Sequence, residues 1–245
     1  MTDKQKKITS IAAAAVVIVA ILIYWLFFSS FSSSRKPSFV YIDSDDTPDS
    51  VYVKLDKAAK PSQMLGLRLC AFVLNYGSHV HPGRYATGDG VSTFRLIRNL
   101  RGGRQSAVEL VIPVVHTMND LAGRLSQQLE ADSATLAATF KDDKVLAPLG
   151  VDTATVPCLF IPNTYEVYWD ITPQKLLQRM KKEHDAYWTP ERKQQAKAAG
   201  LTPDEAYTLA SIVEQESANE VRFPRQAGYG GIAKGRKLQG QAATV

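Results

Sequence analysis

The sequence predicts an α+β protein that follows a single N-terminal transmembrane helix. An uncharged apolar run of 18 residues, Ile11 to Phe28, lies near the N-terminus. Short β-type segments alternate with helical segments over residues 38–113, and from residue 114 onward the apolar spacing is mainly helical. We therefore expect a membrane helix, a small α/β module and a mainly helical domain, in that order.

The apolar run at residues 11–28 is long enough to cross a bilayer. At 1.5 Å per residue it spans about 27 Å, close to the thickness of the hydrocarbon core. Tyr24 and Trp25 lie near its outer end, where aromatic side chains collect at membrane interfaces. Lysines within residues 1–10 favour a cytoplasmic N-terminus, although Arg35 and Lys36 weaken that preference. We expect an uncleaved single-pass anchor, with a cleaved signal peptide as the alternative.

Composition excludes several functional classes. The net charge is +5, and the basic residues are scattered apart from a cluster at residues 175–197, which fits a solvated helical face. The sequence has no nucleic-acid-binding module, no glycine-rich phosphate loop and no G-x-S-x-G motif. Cys70 and Cys158 lie in apolar runs without metal-ligand spacing, so we expect core thiols or one disulfide. His184 has no second histidine at metal spacing and is predicted to be a partly buried helix residue.

Residues 38–113 are predicted to form the small module, after a polar linker at residues 29–37. Proline, glycine and serine mark the ends of its elements. The predicted elements are a strand at 39–42, helices at 51–60 and 63–74, a turn leading into a strand at 81–86, a helix that begins at Ser92 and ends at Gly102-Gly103, and a strand at 107–113.

Residues 114–245 are predicted to form the mainly helical domain. Thr117 is a suitable N-cap for one helix, and Leu136 and Phe140 indicate another. Residues 160–165 have the composition of an exposed turn. Three later helices share a Thr-Pro start, in which threonine is the N-cap and proline the first helical residue. These starts are at Thr172, Thr189 and Thr202.

The helix predicted over residues 201–217 carries the most informative pattern. Thr202 and Glu205 have the spacing of a capping box. At 3.6 residues per turn Glu216 falls about 20° from Leu209, inside an apolar stripe, whereas Glu214 falls about 140° away. Burial on that stripe and a position in the last helical turn would both favour the protonated carboxyl, as a general acid requires. The alternative is that Glu216 turns outward to solvent at the helix end.

The segments IPNTYEVYWD at residues 161–170 and LASIVEQES at residues 209–217 resemble the YceG-like family of endolytic murein (peptidoglycan) transglycosylases. In that family the second glutamate of the I-[IV]-E-x-E-[ST] motif is the catalytic acid. The resemblance therefore implies that Glu216 is catalytic and that Asn163, Thr164 and Glu214 contact or orient the substrate. Asn163 and Thr164 as simple turn-forming residues remain the alternative.

The resemblance also implies a reaction, partners and a location. The family cleaves glycan strands between N-acetylmuramic acid (MurNAc) and N-acetylglucosamine (GlcNAc) and forms 1,6-anhydroMurNAc, with no metal or cofactor. Residues 38–113 resemble its small LysM-like module, which would bind glycan or act as a spacer. The implied partners are glycan strands, the bilayer and peptidoglycan synthases, without nucleic acid. The implied location is the cell (inner) membrane, with the catalytic part on the periplasmic side, where cleavage would end strand elongation.

The sequence departs from the family pattern after Val221. It keeps Pro224 and the Leu238-Gln239 pair but lacks the family's Asn-Arg pair and its Asp-Pro. We therefore expect a partial catalytic domain. Either the reading frame of the coding sequence is disturbed, or the sequence is a fragment. The alternative function is a membrane-tethered glycan-binding or scaffold protein with impaired catalysis.

Overall fold

The computed structural model describes residues 3–34, 36–88 and 90–222, and it confirms a mixture of helices with small antiparallel sheets. The chain divides into two compact units, the first ending at Thr189 and the second beginning at Pro190. The helices are α1 (Asp3–Phe28), α2 (Pro48–Asp56), α3 (Pro61–Val73), α4 (Thr93–Arg101), α5 (Met118–Ser126), α6 (Ser133–Thr139), α7 (Asp143–Leu146), α8 (Pro173–Tyr187), α9 (Pro190–Ala198) and α10 (Pro203–Arg222). The strands are β1 (Phe39–Ile42), β2 (Gly83–Ala86), β3 (Val108–Ile112) and β4 (Asn163–Val167).

Helix α1 contains the apolar run. Among the described residues, one helix is long and apolar enough to cross a membrane, and it is α1. Its segment Ile11–Phe28 has a mean hydropathy of 2.8, and none of that segment is buried. A signal sequence near the N-terminus would have the same length and composition. The membrane anchor therefore stays a prediction, and the length and composition of α1 are compatible with it.

The segment after α1, which the sequence predicts as a polar linker over residues 29–37, contacts the fold through Phe31. Phe31 is completely buried. Its amide donates to the Val91 carbonyl at 2.9 Å, and its carbonyl accepts from the Lys60 amide at 2.9 Å. Burial of a phenylalanine side chain contributes about 1.5–3 kcal/mol to the free energy of folding. This one aromatic residue among serines therefore stabilises the packing of the segment against the fold.

The first hydrophobic cluster of the first unit, which we call the N-terminal cluster, lies between the antiparallel β1–β2 pair and helices α2, α3 and α4. Val40 and Ile42 of β1 point into it, because alternate residues of a strand face opposite sides. Leu67 of α3 and Leu96 of α4 are completely buried against them. Cys70 also lies in this cluster and forms no disulfide with Cys158, so the expectation of core thiols is confirmed.

A second hydrophobic cluster, the central cluster, lies between the β3–β4 ladder and helices α5 to α8. Leu110 and Ile112 of β3 and Tyr165 and Val167 of β4 supply its sheet face. The Gln128 side chain bonds both to the amide and to the carbonyl of Val111, at 2.9 and 3.1 Å. This side-chain amide takes the place of a neighbouring strand, which protects an exposed sheet edge. The predicted boundaries at 38–113 and 114–245, and the LysM-like resemblance, stay predictions.

Several predicted helix starts are confirmed by capping hydrogen bonds. The Thr117 hydroxyl accepts from the Asp120 amide at 3.0 Å, and the Thr172 hydroxyl accepts from the Lys175 amide at 3.4 Å. Ser92 caps α4 in the same way, at 3.3 Å. Each bond satisfies one of the amides that the first helical turn leaves without a partner. His184 is buried on α8, as predicted.

Candidate functional site

Glu216 lies on α10 in the second unit, and the helix places it where the sequence predicts. Residues Leu209, Ile212, Val213 and Glu216 follow at intervals of three and four on a continuous helix, so they share one face. The capping box that begins this helix is formed: the Glu205 carboxylate accepts from the Thr202 amide at 2.8 Å, and the Thr202 hydroxyl accepts from the Glu205 amide at 3.3 Å.

Two premises of the sequence argument about Glu216 are wrong for the described residues. Glu216 is exposed, and Leu209, Ile212 and Val213 are 50%, 52% and 56% exposed, so the apolar stripe is not buried. The helix also continues to Arg222, so Glu216 does not lie in its last turn. Helical periodicity shows which residues share a face, but it does not show whether another element covers that face. Glu216 thus meets solvent, as the alternative expected, but it does so within the helix and not at a helix end.

Glu214 is exposed as well, on another side of α10. Both glutamates thus have accessible side chains. Within the described part of the chain, neither of the two side chains forms a hydrogen bond or an ion pair. Both side chains are therefore accessible to an approaching ligand.

Asn163 and Thr164 lie in the first unit, at the first two positions of β4 and not in the exposed turn that the sequence predicts. They pair with Ile112 and Val111 of β3. The Asn163 side-chain oxygen accepts from the Thr164 amide at 2.8 Å, so part of the asparagine is used locally. Strand alternation places the two side chains on opposite faces of the ladder, although both are exposed. One ligand could therefore contact both only at the strand end.

The outer face of the β3–β4 ladder carries Thr164, Glu166, Glu109 and Val111. Glu109 and Glu166 lie directly opposite each other in the register. Like charges at such positions destabilise a ladder, so packing does not account for this pair. Tyr165 lies between Thr164 and Glu166 on β4 and faces the core. Its hydroxyl donates to the Ile161 carbonyl at 2.8 Å, and burial raises the pKa of Tyr165.

An aromatic groove that sequence reasoning missed lies beside this ladder in the first unit. Its volume is about 630 Å³, within the usual range of ligand sites. Tyr41 lines the groove and packs edge-to-face against Trp169, with ring centroids 5.1 Å apart. The Arg84 guanidinium lies 3.4 Å from the centroid of the Phe39 ring. The lining residues are Phe39, Tyr41, Arg84, Ser106, Ala107, Val108, Glu109 and Gln128.

One sequence signal for this groove was available. Phe39 and Tyr41 are two apart on a predicted strand, and therefore on one face, opposite the apolar Val40 and Ile42. Exposed aromatic rings with hydrogen-bonding side chains beside them can stack on sugar rings and bind their hydroxyls. The groove could thus serve as a carbohydrate site.

The four predicted site residues fall in different units, with Asn163 and Thr164 in the first and Glu214 and Glu216 in the second. Their assembly into one site stays an expectation from the family resemblance. Within the residues that the structure describes, no group of three or more His, Cys, Asp or Glu side chains could hold a metal ion. The altered pattern after Val221 lies, from residue 223 onward, outside the described residues.

Comparison with known proteins identifies one family. The sequence profile of the YceG-like family matches residues 40–239, a range that leaves out residues 11–28 and extends past Gly228. A crystal structure at 2.6 Å of a YceG-like protein from Listeria monocytogenes is similar to the chain, with 15% sequence identity and a TM-score of 0.36. That match covers 69% of this chain and 61% of the Listeria chain. No curated protein matches the chain.

Proposed function

The chain belongs to the YceG-like family, and on this premise we propose that it is a membrane-anchored endolytic transglycosylase of peptidoglycan. The observation that carries the proposal is the family match over residues 40–239, which includes the I-V-E-Q-E-S motif on α10. The apolar helix at Ile11–Phe28 supports attachment to the cell membrane. The body would then lie on the periplasmic side, where it meets nascent glycan strands and the synthases that make them.

In the proposed reaction Glu216 acts first as an acid and then as a base. Its carboxyl donates a proton to the glycosidic oxygen between MurNAc and GlcNAc, and the bond from that oxygen to C1 of MurNAc breaks. The carboxylate then removes the proton from the 6-hydroxyl of the same MurNAc, and O6 bonds to C1. The products are a free 4-hydroxyl on GlcNAc and a 1,6-anhydroMurNAc end. No water is consumed, so one carboxyl group suffices, in contrast to hydrolytic glycosidases.

The exposure of Glu216 bears on how the acid would become effective. A general acid must carry its proton when the substrate is bound. A glycan strand laid along Leu209, Ile212 and Val213 would exclude water from the adjacent carboxyl and favour its protonated form. We propose that bound substrate supplies part of this desolvation. Glu214, on another side of the helix, would orient the site.

The experiment is to incubate the full chain with purified glycan strands and measure 1,6-anhydroMurNAc ends by mass. Glu216→Gln keeps the size of the side chain but removes its acid function, so the rate should fall by at least about 10²-fold. Glu214→Gln is the matched control on the same helix and should lose much less. If Glu216→Gln forms anhydro ends at the parental rate, the assignment is wrong.

A second candidate function is glycan binding without catalysis. The aromatic groove beside the β3–β4 ladder favours it, because this groove lies entirely in the first unit and does not need Glu216. A parent chain that binds glycan strands but forms no anhydro ends would support this second function over the first.

A further inference from the structure

Helix α3 is apolar on both of its sides. Leu67 and Ala71 pack into the N-terminal cluster, whereas Leu69, Phe72 and Val73 remain exposed, Phe72 by 87% and Val73 by 79%. Adjacent exposed apolar side chains of this size mark an interaction surface on a protein. An apolar helix in a globular fold is normally covered on all sides. Another molecule should therefore cover the outer side of α3.

The end of the proposed membrane anchor lies directly against this helix. A Cβ atom added to Gly66 would lie 2.8 Å from the Leu26 carbonyl oxygen, so the two helices touch at a glycine. Phe28, the last residue of α1, packs its ring against that of Phe94 on α4, at 5.8 Å between centroids. Because Leu26 and Phe28 end the apolar run, this contact would lie at the boundary of the bilayer.

Helix α1 and helix α3 share an apolar groove of about 280 Å³ at this contact. It lies between side chains of α1, α3 and α4, without a charged residue in its lining. The lining residues are Phe27, Phe28, Leu69, Cys70, Val73, Leu74 and Phe94.

A basic groove adjoins the apolar one, because Leu74 lines both. Arg98, Arg101 and Arg104 line this second groove, whose volume is about 210 Å³. No ion pair among the described residues involves these three arginines. The C-terminal dipole of α4 favours Arg98 and Arg101, which lie in its last turn, but it does not explain the open groove or Arg104. Guanidinium groups bind phosphate with paired hydrogen bonds.

We propose that this surface, formed by α3, α4 and the outer end of α1, binds an anionic phospholipid of the surrounding leaflet. The acyl chains lie against Phe72, Val73 and the apolar groove, and the phosphate is bound by Arg98, Arg101 and Arg104. The first unit thereby rests on the membrane surface through α3. The inference rests on the anchoring part of the proposed function and is independent of the glycan chemistry.

The test uses the full chain reconstituted alone in liposomes that contain phosphatidylglycerol and phosphatidylcholine. Phe72→Cys carries an environment-sensitive fluorophore, and the unsubstituted chain, in which Cys70 and Cys158 are both buried, is the labelling blank. Spin-labelled acyl chains should quench this probe strongly and aqueous iodide weakly. Val114→Cys is the control, because Val114 is also an exposed apolar residue but lies outside this surface. Its probe should show the reverse pattern.

A third probe separates failure of the anchor from failure of lipid binding. With Ile18→Cys, a probe within the apolar run, lipid quenching reports insertion of α1 itself. One outcome would overturn the proposal but keep the anchor. In it, spin-labelled lipid quenches the probe at residue 18, whereas iodide quenches the probe at residue 72 as strongly as the probe at residue 114. If both quenchers are excluded from residue 72, protein and not lipid covers α3, which also overturns it.

The headgroup is tested by comparing quenching from spin-labelled phosphatidylglycerol and spin-labelled phosphatidylcholine. Each arginine near the surface should favour the anionic lipid by about fivefold. The combined Arg98→Gln, Arg101→Gln, Arg104→Gln variant should lose this preference. The combined Arg124→Gln, Lys141→Gln, Lys144→Gln variant removes the same charge from exposed positions outside this surface and should keep the preference. An equal preference in the parent and the arginine variant would overturn the phosphate site.

Discussion

The Glu205 carboxylate accepts hydrogen bonds from both the backbone amide and the hydroxyl of Thr202, at 2.8 and 2.9 Å. Thr202 in turn accepts from the Glu205 amide, so each residue satisfies a group of the other at the start of α10. The same helix carries Glu216 about four turns after Thr202. The stability of this start therefore determines how well the proposed acid is held.

We predict that Thr202→Ala destabilises α10 by about 1 kcal/mol, the usual cost of losing an N-cap. The measurement is amide hydrogen exchange of the first turn of α10, together with the denaturation midpoint. Thr208→Ala is the matched control, because Thr208 is exposed within the helix and its hydroxyl donates to the Asp204 carbonyl at 2.8 Å. Unchanged exchange in the Thr202 variant would show that the capping box does not hold this helix end.

The loop between β1 and α2 predicts a pH dependence of stability. Burial alone would raise the pKa of Asp46, but hydrogen bonds from Lys54, Ser50 and the Asp43 amide outweigh it and hold the pKa below the ordinary 3.8. A carboxylate whose pKa is lower in the folded state stabilises the fold above its unfolded value. That stabilisation is lost as the pH falls below about 4 and through the folded value.

Asp46→Asn should lower the free energy of unfolding near neutral pH by about 1–2 kcal/mol, because charge-assisted hydrogen bonds are lost. It should also flatten the acid limb of the curve of urea midpoint against pH. Asp45→Asn is the control, since Asp45 lies exposed in the same loop. If both variants follow the parental curve, the Lys54 pair contributes nothing to stability.

The anchor predicts a topology. With α1 in the membrane and residues 1–10 in the cytoplasm, protease added outside spheroplasts should digest the body and leave the N-terminal helix protected. The measurement is detection of an N-terminal tag and of the body by separate antibodies. Digestion of the body only after lysis would reverse the topology, and release of an intact soluble body would favour the signal peptide.

Glycan binding by the aromatic groove predicts that Tyr41→Ala weakens the affinity for purified glycan strands. Loss of one stacked aromatic contact in a binding site costs about 1 kcal/mol or more, which is about fivefold in Kd. Tyr168→Ala is the control, because Tyr168 is also exposed but does not line the groove. Equal affinities of the two variants would exclude Tyr41 as a contact.

Local chemistry in the sequence predicted most of the helix starts, because an N-cap and its amide lie within three residues of each other. Thr117, Thr172 and Thr202 are examples. Strand β4 was missed because it exists through pairing with β3, more than 50 residues earlier. Its Asn163 and Thr164 have the composition of a turn, and local propensity does not include a distant partner.

The site was predicted less completely than the fold. The shared face of Leu209 and Glu216 followed from helical geometry, but its exposure did not, since periodicity is silent about what covers a face. The aromatic groove combines β1, β2, β3 and Gln128, and only the fold brings them together. Phe31 shows the same limit, because one ring in a serine-rich segment gives no periodic pattern.

The burial of Phe31, with its backbone bonded to Val91 and Lys60, has a mechanical consequence. A flexible linker after α1 would let the rest of the first unit move and rotate independently of that helix. Here α1 is bonded to the fold through Phe31, so if α1 spans a bilayer as proposed, a tilt of the helix would tilt the aromatic groove with it. A thinner bilayer, to which a long apolar helix can adapt by tilting, would then change the orientation of the groove relative to the membrane.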